Sequence, residues 1–213
     1  MSNTTFVAIQ TWVFDLDNTL YPPSARLFDQ IEAAMHRYVM RELGVSAAEA
    51  NRLRKRYWLD HGTTLNGLMR HHNIDPDPFL REVHDIDLSA LTKDEELGAA
   101  IMALPGRKII YTNGSRQHGE RVSTARGLLR CFDAIYGVED ADYLPKPQRE
   151  AFATVFRRGE IAPESAAMFE DCSRNLEVPH RLGMRTILVG PPEAASHIDH
   201  QTEHLAGFLS RLP

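Results

Sequence analysis

The sequence contains few cysteines and no long apolar run, and each absence argues against a class of protein. Its 213 residues include only two cysteines, Cys131 and Cys172, which is too few for the disulfide framework of a small secreted domain. No stretch approaches the 18 apolar residues that a membrane span needs. The first basic residue is Arg26, so the amino terminus lacks the charged region of a signal peptide. We therefore expect a cytoplasmic protein without a membrane partner.

An excess of basic residues is also absent. With 43% hydrophobic and 25% charged residues, the composition is that of a globular protein. The net charge is -5, so there is no broad positive electrostatic field that could bind nucleic acid. The one basic, aromatic-flanked run contains Arg52, Arg54, Lys55 and Arg56. A binding module for nucleic acid or protein is the non-enzymatic alternative, but on a helix these charges spread around the cylinder. A solvated helix face is therefore favoured.

Short apolar runs rich in β-forming residues recur along the chain. They occupy residues 11–14, 108–112, 134–136, 167–169 and 186–189, and helical segments near 116–128, 148–157 and 175–182 separate the last four. This alternation predicts an α/β protein whose strands form one parallel sheet with helices on both faces. Ligands of such sheets bind beyond the carboxyl ends of the strands.

Between the first two strands the sequence shows only helical patterns. Helices are predicted from Ser24 to Gly44, over 46–61 and 63–72, and from Asp75, with another opened by a capping box of Thr92 and Glu95. We therefore predict a core of residues 1–21 and 99–213, with residues 22–98 as an all-helical insert.

Two carboxylates, Asp15 and Asp17, follow the first strand in the motif DLDNT. In an extended chain, residues two apart project to the same side, so both side chains would enter one cleft. Like charges at that separation favour a cation between them, and Mg²⁺ prefers such oxygen ligands. A surface turn rich in aspartate is the alternative for this motif alone.

Three further motifs end strands or follow them. Thr112 opens TNGS, where a hydroxyl and free backbone N–H groups at a helix start can bind phosphate, although Asn-Gly is also a hairpin pattern. Lys146 is one of only four lysines and lies between two prolines that stiffen its backbone. Glu170 and Asp171 form an acidic pair at the end of a later strand. In one parallel sheet these groups would converge on one cleft.

The motifs DLDNT, TNGS, PKP and FEDCSRN, in this order, resemble the four motifs of the haloacid dehalogenase superfamily of phosphotransferases. The resemblance implies a Rossmann-like core with an inserted helical cap. It implies Asp15 as the nucleophile that forms an aspartyl phosphate, and Asp17 as the general acid and base. Thr112, Asn113 and Lys146 would bind the phosphoryl oxygens.

The same resemblance implies a Mg²⁺ cofactor. Its ligands would be the Asp15 carboxylate, the Asp17 backbone carbonyl and Asp171, with Glu170 bound directly or through water. The resemblance also argues against dehalogenation. Superfamily members that dehalogenate without a metal lack a second acid at the position of Asp17. The expected substrate is a small phosphate monoester, hydrolysed by a monomer or homodimer.

Within the insert, the segment from His61 to Asp75 resembles the cap of the pyrimidine 5'-nucleotidase-like branch. This implies 5'-mononucleotides as substrates, pyrimidines preferred, with His61 and Asn66 contacting the base. A helix break with ordinary packing is the alternative for residues 62–68. Phosphatases of other small metabolites, such as sugar phosphates or pyridoxal phosphate, and phosphomutases share the same core and remain alternatives.

Three histidines near the carboxyl terminus, His197, His200 and His204, allow a metal site in principle, because the last two would share a helical face. The surrounding segment is polar and contains no cysteine. We therefore expect a solvated helix there.

Overall fold

The computed structural model describes residues 6–212. Six strands are present: β1 Thr11–Phe14, β2 Arg107–Tyr111, β3 Ala134–Tyr136, β4 Ala166–Glu170, β5 Arg185–Val189 and β6 His200–Thr202. They form one sheet in the order β3-β2-β1-β4-β5-β6, and every neighbouring pair is parallel. The predicted α/β fold with a parallel sheet is confirmed.

Nine α-helices surround or extend the sheet within the described residues. They are α1 Leu27–Leu43, α2 Ala47–His61, α3 Thr64–His72, α4 Pro76–Val83, α5 Glu95–Ala103, α6 Arg116–Ala125, α7 Arg149–Arg158, α8 Ser173–Arg181 and α9 Leu205–Leu209. None of the helices within residues 6–212 is both long enough and apolar enough to span a bilayer.

The central strand β1 is buried on both faces because its residues alternate between two hydrophobic clusters. Trp12 and Phe14 face one cluster, and Val13 faces the other. Phe14 stacks on Phe169 of β4 with ring centroids 4.6 Å apart. The chain passes from β1 to β2 and β3 on one side and returns to β4 on the other. The carboxyl ends of β1 and β4 therefore flank the point where the strand order reverses, which is the usual ligand site of such sheets.

Helices α1 to α4 follow β1 and form their own hydrophobic cluster, built around Tyr38, Val39, Leu53, Leu68 and Phe79. Helices α2, α3 and α4 start where the sequence predicts, but α1 begins at Leu27 and not at Ser24, because Arg26 adopts a left-handed conformation with a φ of +54°. Side chains of Ser46, Thr63 and Asp75 each accept a backbone hydrogen bond from the first turn of α2, α3 and α4. The segment between β1 and β2, all of which is described, contains no strand.

The predicted boundary at residue 98 falls inside α5. Leu97 and Ile101 of this helix belong to the same cluster as β1, so α5 packs with the sheet. Its N-cap is Asp94, which accepts a hydrogen bond from the Leu97 N–H at 2.9 Å, and not the predicted Thr92. The division of the chain into 1–21 with 99–213 and 22–98 stays a prediction.

Arg126, directly after α6, joins both connections between the sheet and helices α1 to α4. Its guanidinium is buried and donates to the carbonyl oxygens of Leu20 and Thr92 and to the Asp94 carboxylate. Leu20 precedes these helices and Thr92 follows them, so a single side chain holds the two connections together.

The carboxyl-terminal prediction of a solvated helix is wrong. His200 lies in edge strand β6, pairs with Ile187 of β5, and packs its ring 4.9 Å from that of Phe6. His204 caps α9 and accepts a hydrogen bond from the Gly207 N–H. His197 contacts the Ser173 carbonyl at 2.9 Å. The three histidines therefore make separate structural contacts, which the polar sequence around them does not indicate.

Candidate active site

Asp15 lies directly after β1, at the reversal of strand order. Its backbone N–H donates to the Phe169 carbonyl at 2.9 Å, which continues the ladder between β1 and β4 by one step. Its side chain is only 8% exposed. Asp15 and Asp17 both line a cleft of about 820 Å³, as their spacing predicted.

Lys146 bridges two carboxylates beneath this cleft. Its Nζ donates at 2.7 Å to Asp15 Oδ1, at 2.7 Å to Glu170 Oε2 and at 2.9 Å to the Tyr111 carbonyl. The side chain is 1% exposed. Burial alone would lower the pKa of Lys146, but Asp15 and Glu170 raise it above its ordinary value. Lys146 is therefore a permanent cation beside the nucleophile candidate.

Asp15, Glu170 and Asp171 form a cluster in which one carboxylate oxygen from each lies within 4.8 Å of the others. Burial and the neighbouring Glu170 charge raise the pKa of Asp15 to about 7. Burial raises the pKa of Glu170 to about 7 and, together with Asp15, that of Asp171 to about 6. Lys146 offsets only one of these charges. Three clustered carboxylates with only one lysine charge among them fit a hard divalent cation such as Mg²⁺.

Asp17 is held apart from that cluster. The Tyr21 hydroxyl donates to its Oδ1 at 2.6 Å, and His118 Nε2 lies 2.9 Å from the same oxygen. Burial would raise the pKa of Asp17, but His118 and the Tyr21 hydrogen bond outweigh it and lower the pKa to about 2. Tyr21 and His118 therefore favour the carboxylate form of Asp17 over its protonated form.

The loop after β2 supports the cleft from the other side. Thr112 is 1% exposed, lines the cleft and accepts a hydrogen bond from the Gly114 N–H at 2.9 Å. Both ends of the Asn113 amide bind the backbone of Lys146, at 2.8 Å to its N–H and at 3.2 Å to its carbonyl. Asn113 therefore fixes the Lys146 loop. Its predicted contact with phosphate, like that of Thr112, stays a prediction.

Strand β2 ends at Tyr111, one residue before the predicted end. Thr112 is thereby the first residue beyond the strand and not its last. A helix follows instead of a hairpin, because Ser115 caps α6 by accepting a hydrogen bond from the His118 N–H.

Helices α1, α2 and α4 form the opposite wall of the cleft, which is mostly apolar. The wall side chains include Phe28, Ile31, Met35, Trp58, Phe79 and Val83. Arg54 also lines the cleft and pairs with Glu32 at 3.0 Å. Arg52 pairs with Glu49, so the basic run on α2 is divided between the cleft and solvent.

The structure does not place His61 or Asn66 on the cleft wall. His61 points to His71, with 2.8 Å between the two Nε2 atoms. Asn66 is buried and its amide donates to the Tyr143 carbonyl at 3.3 Å. Helix packing turns both side chains away, so their predicted contact with a substrate base does not follow from their positions.

Gly62, between them, does allow a close approach. Its φ is +86°, and a Cβ there would lie 3.1 Å from Pro145 Cγ and 3.2 Å from the Lys146 carbonyl oxygen. The helical wall therefore meets the Lys146 loop at this glycine.

Residues 9–183 match the family model of haloacid dehalogenase-like hydrolases. The chain belongs to this hydrolase family. The match spans the four motifs and the helices between them.

Related proteins agree with this membership. Phosphate metabolism protein 8 of Saccharomyces cerevisiae is 24% identical over 197 residues, which cover 85% of this chain and 61% of the yeast protein. The chain thus spans less than two thirds of that relative's length.

Solved structures share the fold at low identity. The HAD-hydrolase YfnB of Bacillus subtilis, crystallised with magnesium, has a TM-score of 0.61 at 17% identity, covering 96% of this chain and 98% of its own. A HAD phosphatase of Thermococcus onnurineus has a TM-score of 0.62 at 16% identity, covering 95% and 97%. L-2-haloacid dehalogenase of Xanthobacter autotrophicus has a TM-score of 0.60 at 15% identity, covering 95% and 97%.

Two residues that contact the acid candidate of this haloacid dehalogenase-like hydrolase were missed by sequence reasoning. Tyr21 follows Asp17 by four residues, and His118 lies in the first turn of α6 after the TNGS motif. A tyrosine close behind DLDNT and a histidine in the first turn after TNGS are the patterns that could have identified them.

Proposed function

We propose that the protein is a Mg²⁺-dependent phosphomonoester hydrolase that acts through an aspartyl phosphate on Asp15. The observation that carries the proposal is the buried arrangement of Asp15 between Lys146 and the acids Glu170 and Asp171. A nucleophilic carboxylate attacking an anionic phosphate needs cations on both sides, and this site offers one lysine and a donor set for a second cation.

In the first half-reaction, an Asp15 carboxylate oxygen attacks phosphorus, and the bond from phosphorus to the leaving oxygen breaks with its electron pair going to that oxygen. The Thr112 loop lines the cleft and would donate to the phosphoryl oxygens, while Lys146 offsets the negative charge from beneath Asp15. In the second half-reaction, water attacks the same phosphorus and Asp15 is released as a carboxylate. Asp17, which also lines the cleft, is the group placed to exchange protons in both steps.

Asp15, Glu170 and Asp171 are the side chains that would hold Mg²⁺, with the Asp17 backbone carbonyl as the fourth expected ligand. Bound there, the ion supplies positive charge that offsets repulsion between Asp15 and the phosphate. The three raised carboxylate pKa values support this assignment, because the single charge of Lys146 cannot compensate three buried carboxylates.

Dehalogenation by the same nucleophile is the alternative that the related folds raise. Displacing a halide from carbon needs a carboxylate but no proton donor to the leaving group and no cluster of metal ligands. Asp17 and the three-carboxylate cluster therefore favour phosphate esters. A phosphomutase remains the alternative with the same core.

For the substrate we propose nucleoside 5'-monophosphates, with pyrimidines preferred. The cleft of about 820 Å³ has room for a nucleotide, and its aromatic and aliphatic wall, including Phe28 and Trp58, suits a planar base. The resemblance of residues 61–75 to the nucleotidase cap supports the same class, although His61 and Asn66 are not the contacts.

The test is phosphate release from a panel of monoesters with and without Mg²⁺, combined with trapping of the labelled phosphoenzyme by hydroxylamine. We expect release only with Mg²⁺, and pyrimidine nucleotides at least about tenfold above purine ones in kcat/KM, a difference of about 1.4 kcal/mol. A preference for sugar phosphates or pyridoxal phosphate removes the nucleotidase assignment alone. Return of the label to a sugar phosphate indicates a mutase.

A further inference from the structure

The carboxylate of Asp17 is held through one of its two oxygens. Tyr21 and His118 both bind Oδ1, at 2.6 and 2.9 Å. Within residues 6–212 no hydrogen bond to Oδ2 is formed, and the Asp17 side chain is 16% exposed, toward the cleft that it lines. Oδ2 is therefore the oxygen that remains free to exchange a proton.

Both groups that hold Asp17 are rigid. The Tyr21 side chain is 2% exposed and that of His118 is fully buried. A hydrogen bond donated by His118 to Oδ1 requires the ring proton on Nε2. The His118 ring stacks on that of His84, with centroids 4.3 Å apart and an interplanar angle of 13°.

His84 is itself fixed between the two walls of the cleft. Its Nδ1 lies 3.2 Å from Ser115 Oγ, and Ser115 also caps the helix that carries His118. The His84 carbonyl accepts a hydrogen bond from Arg121 at 2.6 Å. Two elements thus support the His118 ring, the start of α6 and the segment after α4.

We propose that Tyr21 and His118 are positioning residues that orient Asp17 Oδ2 to deprotonate the water that hydrolyses the aspartyl phosphate. The inference rests on the proposed function and assigns these side chains to its second half-reaction. The oxygen of water forms a bond to phosphorus, and the bond from phosphorus to the Asp15 oxygen breaks with its electron pair returning to Asp15. The water proton passes to Asp17 Oδ2.

The geometry favours the second half-reaction because both donors occupy Oδ1. They leave the lone pairs of Oδ2 unoccupied, and a general base accepts the proton on such a lone pair. They also prevent rotation of the carboxylate, which would otherwise exchange the two oxygens. General bases positioned in this way contribute through geometry as well as basicity.

The test uses 2,4-dinitrophenyl phosphate, whose leaving phenolate needs no proton. With this substrate kcat/KM reports formation of the phosphoenzyme. When hydrolysis of the phosphoenzyme is slowed and becomes rate-limiting, kcat reports that hydrolysis. For Tyr21→Phe we expect kcat and KM to fall together by about tenfold, below the 10²- to 10⁴-fold of a complete general base. The kcat/KM value should stay within about threefold of wild type, and trapped phosphoenzyme should increase.

Substitutions of His118 test the same positioning role independently. His118→Ala should reproduce the fall in kcat, and His118→Gln should restore part of it, because a glutamine amide can place an N–H near the position of Nε2. Should His118→Ala fail to fold, Tyr21→Phe decides the question by itself.

Tyr143→Phe is the matched control, since it removes a tyrosine-to-aspartate hydrogen bond of 2.7 Å, to Asp77, outside this site. It should leave kcat unchanged. An unchanged kcat in Tyr21→Phe, or an equal fall in kcat and kcat/KM at constant KM, overturns the positioning role. Wild-type protein that forms no phosphoenzyme instead contradicts the proposed function, and this result is distinct because it precedes any variant.

Discussion

The sheet side of the cleft and its helical side carry different kinds of side chain. On the sheet side, Asp15, Lys146 and Glu170 are buried and bound to one another at 2.7 Å. On the helical side, Phe28, Trp58 and other apolar side chains make up most of the wall, and the Arg54–Glu32 pair lies among them. Charged groups on one wall suit a reaction common to many esters, whereas an apolar wall selects among leaving groups by shape.

The two walls also differ in how their residues are brought together. Parallel strands end at one edge of the sheet, so the loops after β1, β2 and β4 must meet there whatever surrounds them. No comparable rule aligns side chains of α1, α2 and α4, whose orientation depends on how the helices pack. Substitutions on the two walls should therefore differ in both the size and the kind of their effect.

The largest effect should follow Asp15→Asn. The change is nearly isosteric but removes the nucleophile, so kcat should fall more than about 10³-fold while the thermal unfolding profile stays close to wild type. Asp142→Asn is the control, since Asp142 is exposed and pairs with Arg158 away from the cleft. Turnover of Asp15→Asn above a few per cent of wild type would show that the covalent mechanism is wrong.

Lys146→Ala should lower kcat/KM by about 10²-fold and weaken inhibition by inorganic phosphate, because one cation is lost beside a dianion. Breaking a buried ion pair also costs about 3 kcal/mol of unfolding free energy. Steady-state kinetics and denaturant unfolding measure the two effects. Lys108→Ala, which removes a lysine bound to backbone carbonyls away from the cleft, should show neither.

Asp171→Asn should raise the Mg²⁺ concentration for half-maximal activity about tenfold, since one charged ligand is lost. Activity at saturating Mg²⁺ should recover in part. Titration of wild type and variant with Mg²⁺ measures the shift. Equal midpoints would refute the assignment of Asp171 as a ligand.

The stabilising effect of Mg²⁺ should grow with pH. Burial and mutual repulsion raise the pKa of Asp15 and Glu170 to about 7 and that of Asp171 to about 6, so between pH 4 and 7 the folded state holds more protons than the unfolded state. Without metal, stability therefore falls as pH rises through this window. Mg²⁺ removes that penalty, and its effect on unfolding free energy should be about 1 kcal/mol greater at pH 8 than at pH 5.

Thermal unfolding at both pH values, with and without Mg²⁺, measures this difference. The pH dependence should weaken in Asp171→Asn. A Mg²⁺ effect that is the same at pH 5 and pH 8 would contradict the assignment of these three carboxylates.

The smallest effect should come from the helical wall. Trp58→Ala should raise KM for a nucleotide about threefold and leave kcat for a small aryl phosphate unchanged, because only the leaving group contacts this wall. His61→Ala should change neither, since His61 faces His71. Equal effects of the two substitutions would break the distinction between cleft-facing and outward-facing residues.

The sequence predicted much of the sheet wall because its residues follow strands directly. DLDNT and FEDCSRN locate Asp15, Glu170 and Asp171 by strand ends alone, and the two prolines mark Lys146. The contact of His118 was not predictable in this way because it depends on the direction of α6, and that of Tyr21 because it depends on how the chain turns after DLDNT. For His61 and Asn66 a sequence resemblance located the segment but not the faces of its helices.

The buried guanidinium of Arg126 has a consequence for the chain segment that carries Asp15. It donates to the Leu20 carbonyl, which precedes helices α1 to α4, and to the Thr92 carbonyl, which follows them. Loss of this side chain would remove the donor from both carbonyl oxygens at a buried position, where an unpaired polar group is costly. Leu20 lies five residues after Asp15, so that cost would fall on the segment that holds the nucleophile candidate at the end of β1.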